Sequence, residues 1–245
     1  MSESESRKPH HFQGLRFDVA RSLDEVVAAW GLVYRAYLGK SLVEPHPDEV
    51  YTVPQAVGAN TVVVCGRIDE MVVSTLSAYH DSAELGLPLD TVYPDELASL
   101  RREGRWLMEL GLFADRREQV RRSMHALLEL MRLACFFGVH TGATDGVIGV
   151  FPNHAGFYRR LFGFVPIGPA RTCEAYNGAD VVLLHLDWYG AIRRAEVPPG
   201  LREFVAHPVG AEVYHGRFRP TAAAVAGSPI ERFTQSPARA SCSLA

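Results

Sequence analysis

Residues 15–20, Leu-Arg-Phe-Asp-Val-Ala, alternate apolar and polar side chains with the period of a half-buried strand. Ser22 with Glu25 three residues later forms a capping box, and Val26, Val27, Trp30, Val33, Tyr34 and Tyr37 then recur at helical spacing, so a helix is predicted over 23–38, ended by Gly39. A second, short helix is predicted over 48–56. Apolar runs at 61–65 and 71–79, separated by Ile68-Asp69-Glu70, predict an antiparallel hairpin. The connection 80–104 is long, with a helical turn at 96–101, and a long connection inside a compact domain is more often functional than accidental. The pattern then gives a strand over 105–114, a long amphipathic helix over 117–137 carrying Val120, Met124, Leu127, Leu128 and Met131 on one side, a strand over 143–150 and a helix over 152–161. Gly163-Phe164 turns into a sixth strand, and 180–186 forms the last one. Helix, hairpin, then strand-helix-strand-helix-strand define a mixed α/β sheet.

The pattern fades at both ends. Residues 1–13 are polar and cannot bury enough apolar surface to order, so they are expected to be a disordered tail. The folded domain is expected over 14–188, an extension over 189–219, and an Ala/Ser/Pro-rich disordered tail over 220–245. With 245 residues, 47% hydrophobic and 22% charged, the chain can build a sizeable core. A net charge of -3 makes no electrostatic case for nucleic acid. Four scattered cysteines without a C-x-x-C pair, and no apolar leader, suggest free thiols in a reducing cytoplasm. No apolar run reaches the roughly 18 residues of a transmembrane helix, and no cluster suggests a metal.

Three features carry chemistry. Glu109 is an acid inside an apolar strand, so it is either ion-paired, with Arg105 or Arg132 as candidates, or faces a cavity as a general base for an ammonium nucleophile. Arg116, Arg117, Arg121 and Arg122 cluster where the long helix begins. Arginines at the positive end of a helix dipole are explained by a bound anion or an acidic partner surface, or simply by solvation. Tyr158, one turn beyond His154, is either a packed core aromatic or a phenol able to protonate a leaving thiolate; His154 reads as a helix-start residue.

The strand, basic turn and long helix, followed by a strand and Phe157-Tyr158-x-x-Leu161-Phe162-Gly163-Phe164, resemble the GNAT superfamily of N-acyltransferases. A more specific resemblance is to the N-acyl amino acid synthases, relatives of acyl-homoserine lactone synthases. It is carried by Asp81-Ser82, Gly86-Leu87-Pro88-Leu89-Asp90, Tyr93, Glu96-Leu97, Leu100-Arg101, Glu109-Leu110-Gly111-Leu112-Phe113, Pro152-x-His154 and Gly163-Phe164. The resemblance spans 15–187. It implies a GNAT-like, mostly antiparallel central sheet flanked by helices, with an acyl thioester lying in a gap between two central strands. It further implies transfer of a fatty acyl group to the amine of an amino acid or similar small acceptor, with no permanently bound cofactor. In that scheme Glu109 assists deprotonation, backbone N–H groups at Leu110, Gly111 and Leu112 polarise the carbonyl, and Tyr158 protonates the thiolate. Tyr34, Arg35 and Tyr37 are candidates for the acceptor site, Arg35 for a carboxylate. One departure is informative. Coenzyme-A-dependent relatives carry Q/R-x-x-G-x-G/A at the basic turn, whereas Gln119 is followed here by Arg122 and Met124, whose side chains obstruct a pyrophosphate. The single phosphate and acidic surface of acyl carrier protein suit an arginine-rich rim better, so the carrier is the expected partner and donor. A coenzyme-A-dependent acetyltransferase and a non-catalytic acyl-binding module are the rival readings; lipid products would bring the protein near membranes.

Overall fold

The computed structural model describes residues 14–116, 124–235 and 244. The strands are β1 (Leu15–Val19), β2 (Thr61–Ile68), β3 (Met71–His80), β4 (Leu107–Asp115), β5 (Asp145–Val150), β6 (Val165–Pro166), β7 (Arg171–Cys173) and β8 (Ala179–Asp187). The helices are α1 (Leu23–Leu38), α2 (Pro94–Arg102), α3 (Met124–Thr141), α4 (Pro152–Phe162), α5 (Trp188–Ile192), α6 (Pro199–Ala206), α7 (Ala222–Val225) and α8 (Arg232–Gln235). The sheet runs β1-β2-β3-β4-β5-β8-β6, with β7 also on β8. Every pairing is antiparallel except β4 with β5. The mixed, mostly antiparallel sheet and the expected hairpin are therefore present.

Each face of the sheet is covered by one long helix. Ser22 caps α1 by accepting the Glu25 N–H at 3.3 Å, and Glu25 in turn holds Arg67 of β2 at 2.8 Å. The apolar stripe of α1 buries Val26, Trp30 and Val33 completely, and the Trp30 Nε1–H finds Ser77 Oγ at 3.0 Å. Full burial of such side chains contributes roughly 1.5–3 kcal/mol each. On the other face α3 packs Leu130, Met131, Ala134 and Phe137 with Met108 and Leu110. Gly138 makes that approach possible, since a Cβ there would stand 2.6 Å from Met108 Cε.

Two expectations change. Residues 48–53 are not helical; only Pro54–Ala56 makes a 3-10 turn. Pro54 explains this, because its ring disfavours helical backbone at the preceding residue, and Val53 is extended at φ -121° and ψ 150°. The sixth strand is the two-residue Val165–Pro166, and the Ile167 N–H beside it donates to Leu183 O at 3.2 Å. Part of the expected disordered tail is built: 221–235 holds α7 and α8 and buries Val225 and Ile230 completely, two apolar anchors that its small-residue composition hides. The expected helix start at 117–123 lies outside the described residues; the helix is described from Met124.

Candidate active site

The site is made by two departures from regularity in β4. First, β4 pairs with β5 only from Leu107 to Glu109, so beyond Glu109 the β4 edge facing β5 carries no ladder. Secondly, β4 contains a bulge. Ser77 of β3 stands opposite Gly111 and Thr75 opposite Ala114, leaving two residues, Leu112 and Phe113, against Leu76. Leu112 has φ 54°, a left-handed conformation that is uncommon for a leucine and costs on the order of 1–3 kcal/mol. The bulge reverses the alternation of side chains. Met108 and Leu110 face α3, and Phe113 packs with that same cluster, whereas Leu107, Leu112 and Ala114 belong to the α1 side.

A cavity of about 630 Å³ opens at this irregular end of β4, within the size range of small-molecule sites. Its walls come from the end of α1 (Arg35, Tyr37), from β4 (Phe113, Asp115) and from α4 (His154, Tyr158), and Leu244 also lines it. Two of its lining residues are joined through the backbone, the Phe113 N–H donating to the Leu244 carbonyl at 3.0 Å. Leu110, Gly111 and Leu112, the expected carbonyl-polarising stretch, immediately precede Phe113 and are not among the residues lining the cavity.

Glu109 is fully buried and is not among the residues lining the cavity. Its Oε2 accepts the Leu89 N–H at 3.1 Å and its Oε1 lies 3.5 Å from the Tyr79 hydroxyl. Leu89 is brought there by a clamp. Arg101 forks onto Asp81 at 2.5 and 3.0 Å and onto Asp90 at 2.6 Å on both oxygens, while Asp90 Oδ2 also takes the Leu87 N–H at 2.7 Å. The two carboxylates raise the Arg101 pKa, its hydrogen bond to Asp90 contributing most. Much of the 81–101 motif thus orders the segment that meets Glu109. The two arginines considered as partners for Glu109 are engaged elsewhere. Arg105 stands 3.5 Å from Asp145 and 3.2 Å from Asp187, and Arg132 is 2.5 Å from Glu129. Asp145, also fully buried, is satisfied by Thr144 at 2.5 Å and His185 at 2.6 Å.

Tyr158 is 4% exposed and lines the cavity. Its ring stands edge-on to Phe157 and Phe164, and burial pushes its hydroxyl pKa well above that of a free tyrosine. It is a packed aromatic whose residue also lines the cavity. Arg35 lines the cavity, and its pKa is lowered first by burial and then by the charge of Arg116. Arg116 continues the sheet through its N–H, which donates to Val73 O at 2.7 Å, and its Nε is buried without a hydrogen-bond partner among the described residues. Two neighbouring guanidinium groups beside a cavity favour an anion. Arg117, Arg121 and Arg122 lie outside the described residues.

The acceptor candidates separate. Tyr34 is spent on structure: its hydroxyl takes the His46 N–H at 2.9 Å and reaches His46 O at 3.3 Å, pinning the loop after α1. Arg35 and Tyr37 share the cavity with Tyr158. Sequence reasoning missed Phe113 and Leu244. For Phe113 the signal was the unbroken apolar run 110–114, which hides a change of face; Leu244 carried none. Among the described residues there is no group of acids, histidines and cysteines able to hold a metal, and no helix is long and apolar enough to cross a membrane.

A mostly antiparallel sheet with one parallel pair that parts beside a bulge, and a cavity at the parting, is the GNAT-type N-acyltransferase architecture. The model of the family described as N-acyl amino acid synthase FeeM matches residues 28–187, so the chain belongs to that family and is an N-acyltransferase. Among solved structures it is similar to FeeM, an N-acyl amino acid synthase from uncultured soil microbes, with 23% identity over 71% of this chain and 91% of that one and a TM-score of 0.62. It is also similar to BjaI, a CoA-dependent acyl-homoserine lactone synthase, with 16% identity over 80% of this chain and 92% of that one and a TM-score of 0.56. The acyl-homoserine lactone synthase LasI shares 15% identity over 77% of this chain and 94% of that one, with a TM-score of 0.54. No curated protein sequence matches.

Proposed function

We propose that this N-acyltransferase moves a fatty acyl group from the phosphopantetheine thioester of acyl carrier protein to the amine of an amino acid or similar small acceptor. The observation that carries the reading is the cavity beside the parted strands, which Phe113, Tyr158 and Arg35 all line. The amine nitrogen attacks the thioester carbon, and the carbonyl oxygen gains negative charge opposite the bulge N–H. The C–S bond then breaks and an amide and a thiol result. Tyr158 is protonated throughout the neutral range, because burial raises its pKa, and so serves as the donor to the departing sulfur. Glu109, buried outside the cavity lining, is assigned to assist removal of the amine proton through water.

Arg116, with Arg117, Arg121 and Arg122, is assigned to the donor's phosphate or the carrier's acidic surface, and Arg35 to the acceptor's carboxylate. Carrier rather than coenzyme A is supported by Arg122 and Met124 standing where pyrophosphate-binding glycines would be needed. BjaI is CoA-dependent, so the donor must be decided by experiment. Purified protein is given matched acyl-carrier and acyl-CoA thioesters with a panel of amino acids, and products are read by mass spectrometry. N-acyl amino acids with at least tenfold higher kcat/KM from the carrier are expected. Preference for CoA overturns the donor assignment, and binding of both thioesters without product in any acceptor overturns the enzymatic reading of the site.

A further inference from the structure

The Leu244 peptide group sits in the cavity in an informative way. Its carbonyl oxygen accepts two hydrogen bonds from separate parts of the fold: the Phe113 N–H of the β4 bulge at 3.0 Å, and the Tyr37 hydroxyl of α1 at 3.2 Å. The Leu244 N–H returns to the same hydroxyl at 3.3 Å. Leu244 is 5% exposed and Tyr37 is 2% exposed, so the two bonds are made largely out of water. A carbonyl held by two converging donors is the ground-state form of what an acyl-transfer site needs, namely donors already aimed where negative charge will develop.

Both donors are fixed by structure rather than by the carbonyl they hold. The Phe113 N–H is turned toward the cavity by the bulge, at the cost of the left-handed Leu112. The Tyr37 ring is wedged between Tyr51, at a centroid distance of 5.3 Å, and Tyr176, at 5.5 Å and nearly perpendicular. Two aromatic rings wedging one phenol leave its hydroxyl little freedom. Tyr158 belongs to α4 on the other wall of the same cavity. One phenol is therefore available to the carbonyl oxygen and the other to the sulfur.

We infer that Tyr37 is a catalytic residue, its hydroxyl forming with the Phe113 N–H a two-donor pocket for the thioester carbonyl oxygen, the position that the Leu244 carbonyl fills. The inference rests on the acyl-transfer reading above and reassigns Tyr37 from acceptor binding. As the amine nitrogen bonds to the carbonyl carbon, the C=O π pair moves onto oxygen, and both donors strengthen their hydrogen bonds to it. When the C–S pair leaves with sulfur, the C=O bond reforms. The amine proton ends on the thiol, and Tyr37 keeps its own proton throughout. The donor thioester displaces the Leu244 carbonyl from the two donors.

The test is isotope-edited infrared spectroscopy of an S-acyl phosphopantetheine thioester carrying ¹³C at its carbonyl, bound to the full chain without acceptor, alongside steady-state kinetics. In the wild type the carbonyl band moves to lower frequency than in water. Tyr37→Phe keeps the ring packing and loses part of that displacement, and its kcat falls about 100-fold with donor KM within threefold. Fluorotyrosine at position 37, a more acidic phenol, displaces the band further than tyrosine does. A wild-type displacement that is unchanged in both variants, or a Tyr37→Phe kcat within threefold of wild type, overturns the role of Tyr37 and leaves the acyl-transfer reading standing. A raised donor KM with unchanged kcat also overturns it, since Tyr37 would then bind a non-reacting amide of the donor arm. No thioester bound by the wild type overturns both.

Discussion

Replacing Glu109 separates its two jobs if the right pair of substitutions is used. Glu109→Ala removes the acceptor of the buried Leu89 N–H and empties the space of a fully buried side chain. An unsatisfied buried donor costs about 1–3 kcal/mol, and truncation adds to that, so a loss of roughly 2–4 kcal/mol follows. For a domain of this size that lowers Tm by on the order of 5–15 °C. Glu109→Gln is different. Its amide oxygen still accepts from Leu89 N–H and its volume is unchanged, so the stability cost stays under about 1 kcal/mol, but it cannot take a proton from an amine. If Glu109 is the base, the Gln variant folds normally while kcat falls by roughly 10²–10⁴. Part of the loss is then recovered as pH rises and more of the acceptor is already the free amine. Calorimetry paired with rate measurement on both variants decides the matter. A Gln variant with kcat within threefold of wild type, beside an unstable Ala variant, would refute catalysis by Glu109. Its task would then be to hold the Leu89 segment in place.

Tyr158→Phe is expected to lower kcat roughly tenfold or more with little change in Tm, measured by steady-state rates and calorimetry, because the ring stays packed. The same variant has a pH signature. Since the folded pKa of Tyr158 is raised, its contribution to stability is complete below the ordinary tyrosine value of about 10 and is lost as pH climbs above it. Wild type should therefore lose Tm faster than Tyr158→Phe in alkaline melts, and parallel curves would count against burial as the cause. Arg35→Ala is expected to raise the amino acid KM about tenfold and Arg116→Ala the donor KM, both effects shrinking as salt is added. If both variants raise the same KM, the two guanidinium groups share one anion. Arg101→Ala frees two carboxylates that are partly exposed, so the cost is about 1–3 kcal/mol after solvent screening. Amide exchange should rise within 81–90, and unchanged exchange there would remove the clamp from the argument.

The elements were legible where the hydrophobic period was strong. The Ser22 cap and apolar stripe of α1 and the hairpin of β2 and β3 follow from local spacing that tertiary packing does not contradict, although the Glu25 side chain takes the Arg21 N–H rather than closing a capping box on Ser22. The pattern failed where a single residue overrode it. Pro54 forbids helix at Val53 although 48–56 has helical composition, and Val225 and Ile230 anchor a stretch whose Ala and Ser content reads as loose chain. For the site, residue type was a better guide than position. An acid in an apolar strand was expected to pair with Arg105 or Arg132 or to face a cavity; Glu109 is buried outside the cavity lining and held by the Leu89 N–H, while both arginines pair elsewhere. A strand of constant pitch, however, exposes its amides at regular intervals, and no propensity scale marks where a leucine will take φ 54°.

That single left-handed residue connects the strained backbone to the chemistry. With a regular β4, Phe113 would fall on the α1 side with Leu107, and its N–H would not meet a carbonyl in the cavity together with the Tyr37 hydroxyl. The bulge changes the face of every later residue in the strand. Ala114 is thereby turned under α1 and Phe113 toward α3, while the β4 edge facing β5 carries no ladder beyond Glu109. Strain on the order of 1–3 kcal/mol at Leu112 is small against the roughly 2.7–4 kcal/mol by which one well-aimed donor lowers a barrier of this kind. On the proposed role of the Phe113 N–H, the magnitudes favour keeping a strained leucine at the point where the strands part.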